Sequence, residues 1–268
     1  MNCKIIFLDI DGTLTNSQKV ITPNTLQALK EAQSRGIIVA VASGRPDKGI
    51  EPIVQAFNLR QTGGYMLSFN GAKVKNLKDD TIVYRNALSL EAFKLACQLA
   101  KEHSVDIITY DDDYIISQVK ENPYMEIEAR INKIPVKVVP SMIDYVDYNP
   151  TKCLILGDGD YLATIEPQIK QSMGSLANVY RSEPYFIEVV PNGIDKAVSI
   201  DTLIHTLGID RQEVLAFGDG FNDVSMVKYA GCGVAMANGC EAIKQVADYV
   251  TSSNDEDGVA KYLQEYIL

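Results

Sequence analysis

Near its start the chain reads Ile5-Ile6-Phe7-Leu8-Asp9-Ile10-Asp11-Gly12-Thr13-Leu14-Thr15. The four apolar residues at 5–8 predict a short strand covered on both faces, as in a parallel sheet buried under helices. Asp9 and Asp11 are two residues apart, so their side chains lean the same way from an extended backbone, and Gly12 allows a sharp turn after them. The segment therefore places two carboxylates at the carboxyl end of a buried strand, where open α/β sheets bind ligands.

An acidic turn without function is the alternative interpretation, because Asp and Gly are ordinary turn-forming residues. Thr13 favours the functional interpretation, since a hydroxyl after the turn can bond back to the loop and fix the carboxylates. The remainder of the sequence has to decide between the two.

Length and charge limit the function classes. The 268 residues suffice for one large domain or two modest ones, each with its own core. The 35 acidic residues outnumber the 25 basic ones, which argues against nucleic acid or an anionic membrane surface as a partner. Any phosphate group must therefore be bound by local features of a site.

Asp9 and Asp11 interrupt the only early apolar run, and no apolar stretch approaches the ~20 residues of a membrane helix. We therefore expect a cytoplasmic protein without a membrane partner. The five cysteines include no Cys-x-x-Cys pair, which indicates reduced thiols. His103 and His205 are the only histidines, too few and too isolated for a zinc site or a histidine-based triad.

A βαβ unit follows the first strand. Thr22-Pro23 predicts the start of a helix that ends at Gly36, and the β-branched run at residues 37–42 predicts a second buried strand. A right-handed crossover makes the two strands parallel, so Ser43 at the second tip lies on the same edge as Asp9. The Ser43 hydroxyl and the Gly44 N–H could hold a phosphate oxygen, although an ordinary turn is the alternative.

A third strand is predicted at residues 65–68, followed by the turn Asn70-Gly71-Ala72. Residues 84–187 then show a different sequence pattern, in which predicted helices and strands alternate frequently. This pattern indicates a mixed α+β insert. Two acidic segments of the insert, at residues 111–113 and 157–160, are interpreted as turns and not as metal or phosphate sites, because their spacing lacks the necessary ligands.

The pattern of buried strands returns near Glu188, with a short strand at 189–190 and a helix whose first turn contains Lys196. An anion is favoured at a helix start, so a lysine there suggests a bound phosphate, with a solvated surface lysine as the alternative. A strand at 214–217 then leads into Gly218-Asp219-Gly220-Phe221-Asn222-Asp223, which is much more specific than the first acidic motif.

The order and surroundings of these residues resemble the four motifs of the haloacid dehalogenase superfamily. The matching positions are Asp9-Ile10-Asp11-Gly12-Thr13, Ser43, Lys196 and Asp219 to Asp223. The long insert resembles the Cof-type or IIB branch, and Asn70-Gly71-Ala72 matches the point where that branch leaves its core. The resemblance implies an α/β fold, with a Rossmann-like parallel-sheet core at 1–83 and 188–268 and an inserted α+β cap of the C2B type at 84–187.

The resemblance also assigns roles. It implies that Asp9 is the nucleophile in phosphoryl transfer and that Asp11 is the acid and base. A phosphate dianion would be repelled by so many carboxylates unless a cation intervenes, and ligands that are all oxygens favour Mg²⁺. The expected metal site combines Asp9, the backbone carbonyl of Asp11, Asp219 and Asp223. The expected phosphate-binding groups are Ser43, Gly44, Lys196 and Asn222.

These expectations describe a Mg²⁺-dependent phosphatase that acts on small phosphorylated metabolites, with sugar phosphates as the expected class, through an aspartyl-phosphate. A phosphomutase of the same branch is the nearest alternative, and product analysis distinguishes the two. A phospho-acceptor signalling module is less compatible with the chain length and the insert. A non-catalytic sugar-phosphate sensor is disfavoured because no motif residue is missing.

Overall fold

The computed structural model describes residues 2–268. The strands are β1 (Ile5–Leu8), β2 (Ile38–Ala42), β3 (Tyr65–Ser68), β4 (Lys73–Asn76), β5 (Ile82–Arg85), β6 (Asp106–Tyr110), β7 (Ile115–Ser117), β8 (Val136–Val138), β9 (Cys153–Leu156), β10 (Asn178–Glu183), β11 (Phe186–Val190), β12 (Val214–Gly218), β13 (Cys232–Ala235) and β14 (Tyr249–Val250). The α-helices are α1 (Pro23–Ser34), α2 (Asp47–Ala56), α3 (Leu59–Thr62), α4 (Leu90–Glu102), α5 (Pro123–Asn132), α6 (Met142–Tyr145), α7 (Gly159–Met173), α8 (Lys196–Leu207), α9 (Val224–Tyr229), α10 (Glu241–Lys244) and α11 (Gly258–Tyr266). Short 3-10 helices cover Phe69–Gly71, Arg211–Glu213, Phe221–Asp223 and Asn254–Glu256.

The chain divides into two compact units. The first unit contains the described residues up to Pro46, then Ile50–Tyr84 and Asp195–Leu268. The second unit contains Asp47–Gly49 and Arg85–Ile194. The chain thus leaves the first unit and later returns to it.

The sheet of the first unit has the strand order β14-β13-β12-β1-β2-β3-β4-β5. Neighbouring strands from β14 to β3 run parallel, and β4 runs antiparallel to β3. β1 lies between β12 and β2, so Ile5 is opposite both Val214 and Ile38. The predicted α/β fold with a parallel sheet is confirmed.

The four apolar residues of β1 divide between the two faces of this sheet. Ile6 and Leu8 pack with residues of α1, α2 and α11, whereas Ile5 and Phe7 pack with residues of α8. All four are fully buried. Because alternate side chains of a strand point to opposite faces, a strand with helices on both sides requires an unbroken apolar run.

The sheet of the second unit has the strand order β10-β11-β9-β6-β7-β8 and is antiparallel except between β7 and β8. One face packs against α4 and α7 through an apolar core that includes Phe93 and Ile165. β6 and β7 form a hairpin, and its turn is closed by the Asp111 carboxylate, which accepts the N–H groups of Asp113 and Tyr114. Asp111 therefore stabilises the turn that joins the two strands.

The predicted start of the insert at residue 84 lies one residue from the division between Tyr84 and Arg85. Asn70-Gly71-Ala72 forms a turn, and β4 and β5, which follow it, remain in the sheet of the first unit. The predicted boundary at the other end of the insert is corrected. The predicted core strand at residues 189–190 is the end of β11, which pairs with β9 and β10 of the second sheet. The second unit therefore continues to Ile194, beyond the predicted end at Ile187.

None of the helices within residues 2–268 is both long and apolar enough to span a membrane. The five cysteines are free thiols, in agreement with the expectation from their spacing.

Candidate active site

The carboxyl ends of β1, β2 and β12 meet at one edge of the first sheet, because these strands are parallel neighbours. Asp9 follows β1, Ser43 follows β2 and Asp219 follows β12. The N–H of Asp9 donates to the carbonyl of Phe217 at 3.1 Å, so the strand ladder continues to the first aspartate. Backbone pairing thus brings together side chains that are far apart in the sequence.

Lys196, the first residue of α8, is fully buried at this edge. Its ammonium donates to Asp9 Oδ1 at 2.7 Å and to Asp223 Oδ1 at 2.5 Å. A third bond goes to the carbonyl of Ala42 at 2.8 Å. The alternative of a solvated surface lysine is therefore wrong. We call Asp9, Lys196 and Asp223 the buried cluster.

Burial and charge act against each other in the buried cluster. Burial raises the pKa of Asp9, and the charge of Asp223 raises it further, while Lys196 opposes both effects. Burial alone would lower the pKa of Lys196, but the attraction of Asp9 and Asp223 outweighs it and raises that pKa. The two aspartates therefore favour the charged form of the buried lysine.

The loop after β12 is held by its own acidic residues. Asp223 Oδ2 accepts the N–H groups of Asp219 and Gly220, at 3.2 and 3.0 Å. Thr13 Oγ1 donates to Asp219 Oδ1 at 2.7 Å, so the hydroxyl after the first turn fixes a carboxylate of the other motif. Gly12 has a φ of +88°, and a Cβ there would collide with the Asp219 carboxylate. Glycine is therefore required where the two loops meet.

Carboxylate oxygens of Asp9, Asp219 and Asp223, one from each, lie within 4.8 Å of one another. No other trio of His, Cys, Asp or Glu side chains in residues 2–268 comes as close. Burial raises the pKa of Asp219, although the Thr13 bond opposes this, and Asp223 raises it further. A divalent cation would relieve this repulsion, and a donor set of oxygens alone fits Mg²⁺.

The carboxylate of Asp11, whose backbone carbonyl is the group predicted for the metal site, has a different environment from the other three aspartates. Arg45 holds its carboxylate through two bonds, from Nε to Oδ2 at 2.8 Å and from Nη2 to Oδ1 at 2.7 Å. Lys19 Nζ adds a third bond to Oδ1 at 2.8 Å. Burial would raise the pKa of Asp11, but the bonds from Arg45 and Lys19 outweigh it and lower that pKa. We call Asp11, Arg45 and Lys19 the rim cluster.

The other predicted phosphate-binding residues lie near Asn70. Ser43 is buried, and its Oγ accepts the N–H of Arg45 at 3.2 Å. A Cβ at Gly44 would lie 3.1 Å from Asn70 Oδ1, so glycine keeps the backbone close to that amide. Asn222 Nδ2 donates to the same Asn70 oxygen at 3.0 Å. The structure thus brings the second motif, the third strand and the last motif together.

Arg45, Asn70 and Lys19 were not among the predicted site residues. Arg45 and Asn70 had a usable signal. Arg45 directly follows the Ser-Gly pair, and Asn70 lies two residues after the end of β3. Lys19 had none, because a lysine in a polar loop is normally a solvated residue.

Comparison with known proteins agrees with this geometry. The sequence profile of the haloacid dehalogenase-like hydrolases matches residues 6–263. The 5-amino-6-(5-phospho-D-ribitylamino)uracil phosphatase YitU of Bacillus subtilis is 28% identical, with 98% of this chain and 97% of that protein covered.

Solved structures agree as well. A haloacid dehalogenase-like hydrolase from Bacteroides thetaiotaomicron is 41% identical with a TM-score of 0.94, over 98% of this chain and 99% of that one. The subclass IIB sugar phosphatase BT4131 is 27% identical with a TM-score of 0.80, over 98% of each chain. From motifs, fold and relatives together, the chain belongs to the haloacid dehalogenase-like hydrolases and is a phosphatase of that family.

Proposed function

We propose that this phosphatase hydrolyses small phosphorylated metabolites, with Mg²⁺, through an aspartyl-phosphate intermediate. The observation that carries the proposal is the separation of the two aspartates of the first motif. Asp9 is buried against Lys196, whereas Asp11 lies at a partly exposed position against Arg45. Two carboxylates with different surroundings suit two different roles.

Asp9, Asp219 and Asp223 would hold the Mg²⁺, as their distances and oxygen donors allow. When bound, the ion would offset the negative charge of the site and polarise the phosphoryl group. Lys196 engages Asp9 Oδ1 and would orient this carboxylate for attack.

In the first step, a carboxylate oxygen of Asp9 would attack phosphorus in line, forming the P–O bond of an acyl phosphate. The bond from phosphorus to the leaving oxygen breaks, and protonated Asp11 gives its proton to that oxygen. The Ser43 hydroxyl and the Gly44 N–H would donate to the phosphoryl oxygens.

In the second step, Asp11 would take a proton from water while the water oxygen attacks phosphorus. Orthophosphate leaves, and Asp9 returns as a carboxylate. Arg45 and Lys19 favour the ionised Asp11 that this step needs. The first step needs the protonated form, and the negative charge of an incoming phosphate dianion would favour it by raising the pKa of Asp11.

For the leaving group, we infer a polyhydroxylated metabolite such as a sugar. The support comes from a polar group of side chains in the second unit, away from its α4–α7 core. Lys152 and Glu188 form a buried pair at 3.4 Å, and Tyr180 donates to the same glutamate at 3.3 Å. Tyr110 donates to Glu128 at 2.6 Å. An ionised carboxylate is an acceptor with about four lone-pair sites, so these two glutamates can also accept hydrogen bonds from sugar hydroxyls.

The test is phosphate release from a panel of phosphorylated metabolites, with and without Mg²⁺. We expect release from sugar phosphates that stops when EDTA removes the metal and resumes when Mg²⁺ is added back. Full activity in metal-free buffer would contradict the proposed metal requirement.

The covalent step is tested by stereochemistry. Two in-line displacements invert phosphorus twice, so a chiral phosphate substrate should give product with net retention. A single inversion would exclude the aspartyl-phosphate and leave direct attack by water.

A further inference from the structure

The loop at residues 16–20 is held in a defined conformation by hydrogen bonds. The Asn16 carboxamide oxygen accepts the N–H groups of Gln18 and Val20, at 3.1 and 2.9 Å, and the Asn16 N–H donates to the Val20 carbonyl at 3.0 Å. The N–H and hydroxyl of Ser17 donate to Asp255, at 2.8 and 2.5 Å. The loop is therefore fixed both internally and to the last part of the first unit.

Within this loop, Lys19 has a φ of +61°, in the left-handed region that Gly and Asn adopt more readily than lysine. Its N–H donates to the Asn16 carbonyl at 2.9 Å, which holds the backbone in that conformation. Because Asn or Gly would adopt this conformation more easily, the contacts of the Lys19 side chain have to explain why a lysine is present.

The Lys19 side chain reaches one target, the carboxylate of Asp11, at 2.8 Å. Arg45 already binds both oxygens of that carboxylate and defines its plane. Lys19 adds a second cation on Oδ1, from a position that is 62% exposed. An ion pair this exposed contributes little to stability, so folding alone does not account for the strained lysine.

We propose that Lys19 is a positioning residue for Asp11. Together with Arg45 it fixes the rotamer of the Asp11 carboxylate, so that this group meets the leaving oxygen in the first step and the attacking water in the second. The inference rests on the proposed function, because it assigns Asp11 the proton transfers. Lys19 forms no covalent bond and takes no part in the proton transfers.

The deciding variant is Lys19→Asn. Asn accepts a positive φ, so the substitution removes the cation without adding backbone strain. Lys133→Asn is the matched control, because Lys133 has a φ of +56°, is exposed and ends α5 in the second unit. Both variants should fold and unfold thermally at or slightly above the wild-type midpoint.

Activity is measured as kcat/KM, which reports the steps up to release of the leaving group. The substrates are 4-nitrophenyl phosphate and the fastest member of a panel of glucose 6-phosphate, ribose 5-phosphate and erythrose 4-phosphate. The alkoxide of a sugar phosphate needs a proton from Asp11, whereas nitrophenolate does not. For Lys19→Asn we expect kcat/KM to fall about 10-fold with the sugar phosphate and much less with the aryl phosphate. The ~10-fold loss is a fraction of the ~100-fold or larger effect of general acid catalysis.

Further results separate the possible roles. Lys19→Arg should recover most of the loss, because it restores a cation, and Lys133→Asn should match the wild type with both substrates. Equal losses with the two substrates, carried mainly by a higher KM, would overturn positioning and indicate that Lys19 binds the phosphate. Wild-type behaviour of Lys19→Asn would also overturn it, leaving a surface ion pair. If the wild type releases phosphate from none of the substrates, the proposed function and this inference are both wrong. That result differs from the two outcomes above, in which the wild type is active.

Discussion

The buried cluster and the rim cluster lie at the same sheet edge and contain similar groups, yet they differ in burial and in the balance of charge. In the buried cluster one lysine forms ion pairs with two aspartates, and all three side chains are shielded from water. In the rim cluster two cations form ion pairs with one carboxylate, and the Asp11 side chain is 35% exposed. The first therefore has an excess of negative charge and the second an excess of positive charge.

This difference indicates that the two clusters have different roles in the reaction. A buried site with excess negative charge suits a divalent cation and a nucleophile that must stay in place. A partly exposed carboxylate with excess positive charge near it suits proton exchange and attraction of an anionic substrate. Substitutions in the buried cluster should therefore affect activity and stability with every substrate, whereas substitutions in the rim cluster should affect activity selectively.

The largest effect should come from Asp9→Asn. The amide is nearly isosteric but neither attacks phosphorus nor binds a metal as well, so phosphate release should fall by about 10⁴-fold or more with every substrate. Steady-state assays measure the loss, with Asp147→Asn as control because Asp147 is an exposed aspartate in the second unit. Retention of more than a hundredth of the activity would contradict the nucleophile role.

Lys196→Met should show that the buried cluster also matters for folding. Removal of the cation leaves Asp9 and Asp223 buried without compensation, so the free energy of unfolding should fall by about 3–5 kcal/mol. Urea denaturation measures this, and Mg²⁺ should restore more stability to the variant than to the wild type. Lys244→Met is the control, since Lys244 has only a 3.6 Å surface pair with Glu241. A change as small as that of the control would contradict the assignment.

Asp11→Asn should reduce activity without affecting the buried cluster. We expect a loss of about 10²–10³-fold in kcat/KM with a sugar phosphate and a distinctly smaller loss with 4-nitrophenyl phosphate. The affinity for Mg²⁺, followed by thermal stabilisation with added metal, should change little. Equal losses with the two substrates would show that Asp11 is not the general acid.

The smallest effect should come from Glu188→Gln in the second unit. The amide keeps the shape but removes the charge that faces Lys152, so the ranking among sugar phosphates should change by a few fold while 4-nitrophenyl phosphate is little affected. A panel assay measures the ranking. Identical losses across the panel would indicate a role in folding instead of selection of the leaving group.

The sequence by itself determined the features that depend on local pattern. An unbroken apolar run that ends in two aspartates identified β1 and its carboxylates, and the Gly-Asp-Gly segment identified the loop after β12. Right-handed crossovers then placed both at one sheet edge, because parallel neighbours end on the same side. The α/β fold, the family and the position of Asp9 and Asp219 at one sheet edge could thus be predicted before any coordinates.

Tertiary structure alone decided which side chains pair. Nothing local shows that Lys19 and Arg45 converge on Asp11, since that depends on the path of the loop at 16–20 and on the tip of β2. Likewise the pattern at residues 186–190 suits either sheet, and only pairing with β9 and β10 assigned it to the second unit. The physical reason is that apolar periodicity specifies burial, whereas strand partners and ion pairs are chosen by contacts between distant segments.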